Sequence, residues 1–343
     1  MNPSILLIYT GGTIGMKQDP VGFDLRPFDF SQILDEVPEL KKFGCSIDTI
    51  SFNPIIDSSD VDAHFWVRLS ETIAENYGKY DGFVVLHGTD TMSFSASMLS
   101  FMLENLEKPV IFTGSQLPIG MLRTDGKENL TSAIEIAAAR RADGRPMVPE
   151  VCIYFENMLY RGNRTTKYNA ENFRAFRSAN YPVLAEAGIH IKYHTNYIRY
   201  PEKWGQPLAV KNKIDTSALI VKIIPGLKPE IFEAMMNIEG IRAIVLETFG
   251  SGNAPTVKWF TDCVKKTVDR GVIVLNISQC HTGKVDMDAY ATGKSLKNTG
   301  VVSGADSTTE AAVAKLFFLM GQYSDNKDII TMLQKNIRGE ITE

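Results

Sequence analysis

Short apolar runs that alternate with longer segments of helical period constrain the fold of this chain more than any other feature. Strands are predicted at 5–9, 46–52, 82–86, 109–113 and 148–156, and helices at 31–40, 61–77, 92–106 and 125–142. Asp60 or Ser59 is the expected N-cap of the second helix. A second alternation starts at Ala218, with strands near 219–224, 241–247 and 272–277 and helices near 228–238, 256–270 and 308–320. Strand-helix alternation of this kind builds parallel sheets, so the expected fold is α/β. Residues 195–217 carry two prolines, mixed charge and no sustained period, which marks a boundary. The expected division is an N-terminal catalytic domain over 1–197, a linker over 198–217 and a smaller C-terminal α/β domain over 218–343.

At 343 residues the chain exceeds the size at which one core usually stops growing, which agrees with two units. The 36 basic and 40 acidic residues are intermixed and the net charge is −4, so no basic surface for nucleic acid or an anionic membrane is expected. The apolar run Ile5–Tyr9 is too short for a membrane span and lacks the flanks of a signal peptide, which predicts a cytoplasmic protein. Cys45, Cys152, Cys263 and Cys280 are widely spaced and predict free thiols, with neither a metal site nor a redox pair. In the absence of a leader, the Asn-x-Ser/Thr triplets at Asn129, Asn163 and Asn276 carry no meaning as glycosylation sites.

In open parallel sheets, ligands bind beyond the carboxyl ends of the strands. Three loops expected there are rich in hydroxyls and glycine: YTGGTIG at 9–15, IIDSSDV at 55–61 and LHGTDTMS at 86–93. Each alone reads as a tight turn capping a helix. A phosphate loop fails on spacing at Gly11–Lys17, and before Gly293-Lys294-Ser295 the first glycine is replaced by Asp288. Gly250-Ser-Gly252-Asn-Ala-Pro255 starts like a dinucleotide fingerprint but ends in proline, so no nucleotide cofactor is expected. The histidines at 64, 87, 190, 194 and 281 form no recognisable triad motif, and no Gly-x-Ser-x-Gly elbow occurs. A lysine can serve a hydroxyl nucleophile instead, and Lys167, closing LYRGNRTTK at 159–167, is the candidate. Taken alone, that polar stretch reads as a solvated surface loop.

Together these segments resemble the bacterial-type L-asparaginases, and among them the cytoplasmic type I branch. The matching stretches are YTGGTIG, DSSD at 57–60, LHGTDTM, FTGSQLP at 112–118, LRTDG at 122–126, LYRGNRTTK, GSGNAP at 250–255 and YATG at 290–293. The resemblance implies the asparaginase/glutaminase fold, with a Rossmann-like second domain. It also implies hydrolysis of the side-chain amide of L-asparagine through a threonine acyl-enzyme, with no cofactor and no metal. By position it makes Thr13 the nucleophile and Thr89, Asp90 and Lys167 a second catalytic group. Ser58 and Ser59 would grip the substrate's α-carboxylate and Asp90 its α-ammonium. The backbone N–H of Thr89 would serve as an oxyanion donor, and Gly12, Asp57, Gly88 and Ser115 complete the substrate site. A homodimer or a dimer of dimers is implied.

The chain departs from the family at two places. A tyrosine that activates the nucleophile in many relatives is replaced by Phe23, which cannot carry a proton. Tyr290, matching a tyrosine that some relatives insert into the neighbouring subunit's site, is the substitute. Some type I members also bind asparagine at a regulatory site that uses an arginine where this chain has Glu247 and a threonine at Thr166. A carboxylate there repels an effector's α-carboxylate, which predicts weak or absent activation. Two rival readings are a non-catalytic amino-acid sensor and an ammonia-releasing amidotransferase subunit; the latter disagrees with the near-immediate start of TGGTIG and the absence of a basic patch.

Overall fold

The computed structural model describes residues 2–18, 25–27 and 37–342; Phe23 and most of the helix expected at 31–40 lie outside the described residues. The chain forms two compact units, Met1–Asn212 and Lys213–Glu343.

The first unit is built on one eight-stranded sheet: β1 (Ser4–Tyr9), β2 (Ser46–Ser51), β3 (Gly82–Leu86), β4 (Val110–Thr113), β5 (Val151–Phe155), β6 (Met158–Arg161), β7 (Ala185–Ala187) and β8 (Ile191–Tyr193). The spatial order is β8-β7-β6-β5-β4-β3-β1-β2. β2, β1, β3, β4 and β5 run parallel, whereas β6, β7 and β8 extend the sheet with antiparallel pairs. β3 and β5 are buried throughout, as is β1 after its first residue, because the central parallel strands have both faces covered, and this is why they read as unbroken apolar runs. From β1 the chain crosses to β2 on one side and then to β3 on the other. This reversal opens a crevice at the carboxyl ends of β1 and β3.

Three helices belong to this unit: α1 (Ala63–Asn76), α2 (Met92–Met102) and α3 (Gly126–Ala138). The N-cap of α1 is Asp62, whose carboxylate accepts from Phe65 N at 3.0 Å, and not Asp60 or Ser59. Those two belong to a separate 3-10 turn, Ser58–Asp60, that ends in extended Val61. α2 stops at Met102, short of the expected 106, because Leu103–Glu104 pairs with Ala209–Val210. The strand expected over 148–156 is shorter and turns back at once through Glu156 and Asn157, both at positive φ, into the buried strand β6. The described end of the helix expected at 31–40 is a 3-10 turn, Pro38–Lys42.

The second unit carries a four-stranded parallel sheet in chain order: β9 (Ala218–Lys222), β10 (Ala243–Thr248), β11 (Ile273–Ser278) and β12 (Val302–Ser303). Its helices are α4 (Pro229–Met236), α5 (Lys258–Asp269), α6 (Ala291–Lys297), α7 (Thr309–Gln322) and α8 (Asn326–Leu333). Phe232 of α4 stacks on Phe260 of α5 at 4.6 Å and both are fully buried, anchoring the helices over the Val274 face of the sheet.

All four cysteines are free. Asn129, Asn163 and Asn276 are buried, which removes their triplets from consideration as glycan acceptors. No helix among the described residues is long and apolar enough to cross a membrane.

Candidate active site

The turn after β1 is fixed from both sides. Thr10 gives its N–H and its hydroxyl to Leu86 O at 3.0 and 2.8 Å, and its own carbonyl accepts from Ile56 N at 2.8 Å. Gly11 and Gly12 then adopt φ values of 143° and 91°, which side chains rarely tolerate. A Cβ on Gly12 would lie 2.6 Å from Gly88 N, so this turn presses directly on the one leaving β3. Thr13 follows at the start of a 3-10 turn, half-buried, with Ile14 sunk in the core behind it.

The loop after β2 is organised by Asp57. Its carboxylate accepts from Ser59 Oγ at 2.6 Å and Ser59 N at 2.9 Å, and the hydroxyl and then the amide of Ser59 hold the carboxyl below its usual pKa. Ser58 is buried, and a Cβ on Gly88 would lie 2.5 Å from its Oγ. Thr91 Oγ1 donates to Ser58 O at 2.6 Å and so ties this loop to the one bearing Thr89 and Asp90.

Lys167 brings the chemistry together. Its Nζ donates to Thr89 Oγ1 at 2.8 Å and to Asp90 Oδ1 at 2.6 Å. Lys167 stands on a two-residue ribbon, Thr166–Lys167 against Phe176–Arg177, that leaves the turn after β6. The turn is no solvated loop. Gly162, Asn163 and Arg164 are buried, and Arg161 forms a buried ion pair with Glu150 at 2.6 Å. The Arg161 guanidinium also lies 4.3 Å from the Tyr181 ring centroid. So polar a segment can be buried because the Arg161 charge is paired inside the fold.

Gln116 was not singled out by the sequence, although FTGSQLP contains it. The Thr89 hydroxyl donates to Gln116 Oε1 at 3.4 Å, and Gln116 Nε2 donates to Asn172 O at 3.1 Å in the loop beyond Lys167. Buried Ser115, the predicted substrate contact, gives its hydroxyl to Leu117 O at 2.5 Å. Asp125 accepts the amides of Gln116 and Leu117, and burial raises its pKa despite those bonds. His87 is a second group that spacing could not reveal. It is fully enclosed, and burial pushes its imidazole pKa down to about 4.

Thr13, Thr89, Asp90, Ser58, Ser59, Asp57, Gly12, Gly88 and Ser115 therefore lie on loops at the carboxyl ends of the parallel strands of the first sheet, and Lys167 reaches Thr89 and Asp90 from its ribbon. Tyr290 belongs to the second unit, where it precedes α6 as its N-cap with 60 % of its surface exposed. Glu247, at the end of β10, accepts from Thr309 Oγ1 at 2.9 Å and lies 3.6 Å from Lys222 Nζ. Among the described residues, no three His, Cys, Asp or Glu side chains gather as a metal site.

Comparison with known proteins identifies the family. Residues 4–199 match the family model described as Asparaginase, N-terminal, and residues 219–333 match the Glutaminase/Asparaginase C-terminal domain. The chain is 42 % identical to L-asparaginase 1 of Escherichia coli K12 over 341 residues, covering 99 % of this chain and 98 % of that one. It is 39 % identical to the human 60 kDa lysophospholipase over 98 % of this chain and 61 % of that protein. The crystal structure of L-asparaginase I from Vibrio cholerae O1 biovar eltor superposes with a TM-score of 0.91 at 40 % identity, with full coverage of both chains. With two family models in sequence and full-length likeness in sequence and fold, the chain belongs to the asparaginase family.

Proposed function

We propose that the protein hydrolyses the side-chain amide of L-asparagine to L-aspartate and ammonia in two acyl-transfer steps. The observation that carries this reading is Lys167 Nζ shared between Thr89 Oγ1 and Asp90 Oδ1, with the Thr89 loop packed at Gly88 against Gly12 of the turn that bears Thr13. Thr13 Oγ attacks the amide carbon, the C–N bond breaks, and the nitrogen leaves as ammonia with the proton given up by the hydroxyl. Water then attacks the Thr13 ester; aspartate leaves and the hydroxyl is restored.

Lys167 accepts or relays the proton of the Thr89 hydroxyl, and Asp90 holds the lysine while pairing with the substrate's α-ammonium. Ser58 and Ser59 take the α-carboxylate, with Asp57 fixing Ser59 through two hydrogen bonds. The backbone N–H of Thr89 stabilises the charge that develops on the amide oxygen. Since Phe23 carries no proton, Tyr290 from a second copy is the phenol assigned to activate Thr13. Its exposure of 60 % within one chain supports this, and the active unit is then a cytoplasmic homodimer or dimer of dimers.

Ammonia release from L-asparagine, L-glutamine and D-asparagine tests the reading. Turnover of L-asparagine is expected, with some glutamine turnover, since one methylene discriminates by only about 1–3 kcal/mol. No ammonia from any of the three would favour an amino-acid sensor.

A further inference from the structure

His87 stands at the end of β3, directly before Gly88 and Thr89. Its Nδ1 lies 2.6 Å from Gly88 O, and a carbonyl only accepts, so Nδ1 carries the hydrogen. Its Nε2 lies 2.9 Å from Ser95 Oγ, and Ser95 Oγ in turn accepts from Trp66 Nε1 at 3.0 Å. Nε2 without a hydrogen must accept, so the Ser95 hydroxyl points at the ring. The chain Trp66 N–H to Ser95 O–H to His87 N–H to Gly88 C=O therefore has one direction and fixes one tautomer. The imidazole sits edge-on to Phe65 and Phe112, with ring centroids at 5.3 and 5.9 Å, so two aromatic rings pack against it.

The bond aimed by this chain belongs to the Gly88–Thr89 peptide. In a trans peptide the N–H points opposite to the C=O. With Gly88 O turned inward to His87, Thr89 N–H is turned outward, toward the crevice. The Gly88 end of this peptide is confined by Gly12 and Ser58, since a Cβ on Gly12 would lie 2.7 Å from Gly88 Cα and one on Gly88 would lie 2.5 Å from Ser58 Oγ.

We propose that His87 is a positioning residue for the reaction: by holding the Gly88 carbonyl, it aims the Thr89 N–H at the oxygen that gains charge in the transition state. This rests on the proposed amide hydrolysis. The donor acts where charge develops, so its misdirection lowers kcat and leaves ground-state binding alone.

The experiment measures ammonia release from L-asparagine and binding of L-aspartate by wild type, His87→Leu, His87→Asn and Ser95→Ala. His87→Leu removes the donor, and kcat is expected to fall about tenfold with KM and aspartate affinity within about twofold, the low end of what supporting groups contribute. His87→Asn places an amide N–H where Nδ1 was and restores at least half of the lost kcat. Ser95→Ala removes the hydroxyl that donates to Nε2 and holds the ring in place, and lowers kcat several-fold, again without moving KM. Wild-type kcat in His87→Leu, a loss appearing in KM instead, or no rescue by an His87→Asn protein that still binds aspartate would each overturn the assignment. If His87→Leu does not fold, Ser95→Ala decides by the same criterion. A wild type that releases no ammonia would instead overturn the hydrolase reading, and the assignment with it.

Discussion

Lys167 Nζ lies 2.8 Å from Thr89 Oγ1 although 78 positions of sequence separate the two residues. The same nitrogen holds Asp90 at 2.6 Å, so a single amine links the Thr89 hydroxyl to a carboxylate. Replacing it with Met keeps much of the side-chain volume and removes the link. Lys167→Met is expected to lower kcat by roughly 10³-fold or more while the variant still binds L-aspartate, checked by steady-state ammonia release and calorimetric titration.

Close packing of the first two site loops sets a second expectation. Gly12 has a φ of 91° and no room for a Cβ beside Gly88 N. Gly12→Ala combines backbone strain with overpacking, each costing about 1–3 kcal/mol, and displaces Thr13 and Thr89 together. A lowered unfolding midpoint accompanied by loss of turnover is expected; unchanged stability would mean that the loops do not press on each other.

The buried pair of Arg161 and Glu150 supports the turn that carries Lys167, with side chains only 5 % and 8 % exposed. Arg161→Met leaves a buried carboxylate uncompensated and is expected to cost about 3–5 kcal/mol, whereas a double replacement of both partners by apolar residues costs less. Denaturant unfolding of the two single variants and the double variant measures the coupling.

A pH dependence follows from His87. Burial lowers its pKa from 6.5 to about 4 in the folded protein, so the unfolded chain binds this proton first as pH falls. The contribution to stability is fully present above pH 6.5, declines between 6.5 and about 4, and levels off below, about 3 kcal/mol in all. His87→Asn is expected to flatten the slope of unfolding free energy across that window.

Glu247 gives the regulatory expectation. Its carboxylate is engaged by Thr309 and lies near Lys222, and it offers no positive charge to an effector carboxylate. Velocity against asparagine concentration is expected to be hyperbolic; a sigmoidal curve would contradict this.

The two-unit α/β plan and the site loops were legible because the central strands are buried on both faces and written as plain apolar runs. β7 and β8 were not, since three-residue antiparallel strands such as Ala185–Ala187 and Ile191–Tyr193 carry too few positions for a period to show. Arg161 and Arg164 read as surface charge and are buried, because Glu150 meets the Arg161 guanidinium and the Tyr181 ring lies against both arginines, partners from outside the 159–167 stretch. The cap of α1 lies two or three residues beyond the expected Asp60 or Ser59, as several Asp and Ser in DSSDVD compete for the role and only the fold selects Asp62. Thr13, Thr89 and Asp90 follow from resemblance and Lys167 is already a candidate base from its own stretch, whereas Gln116 and His87 depend on distances that no spacing encodes.

The most direct test of the account is ammonia release from L-asparagine measured side by side for wild type, Thr13→Ala and Lys167→Met. The account predicts steady turnover by the wild type and almost none by either variant, each still binding L-aspartate. Turnover by Thr13→Ala at the wild-type rate would contradict it.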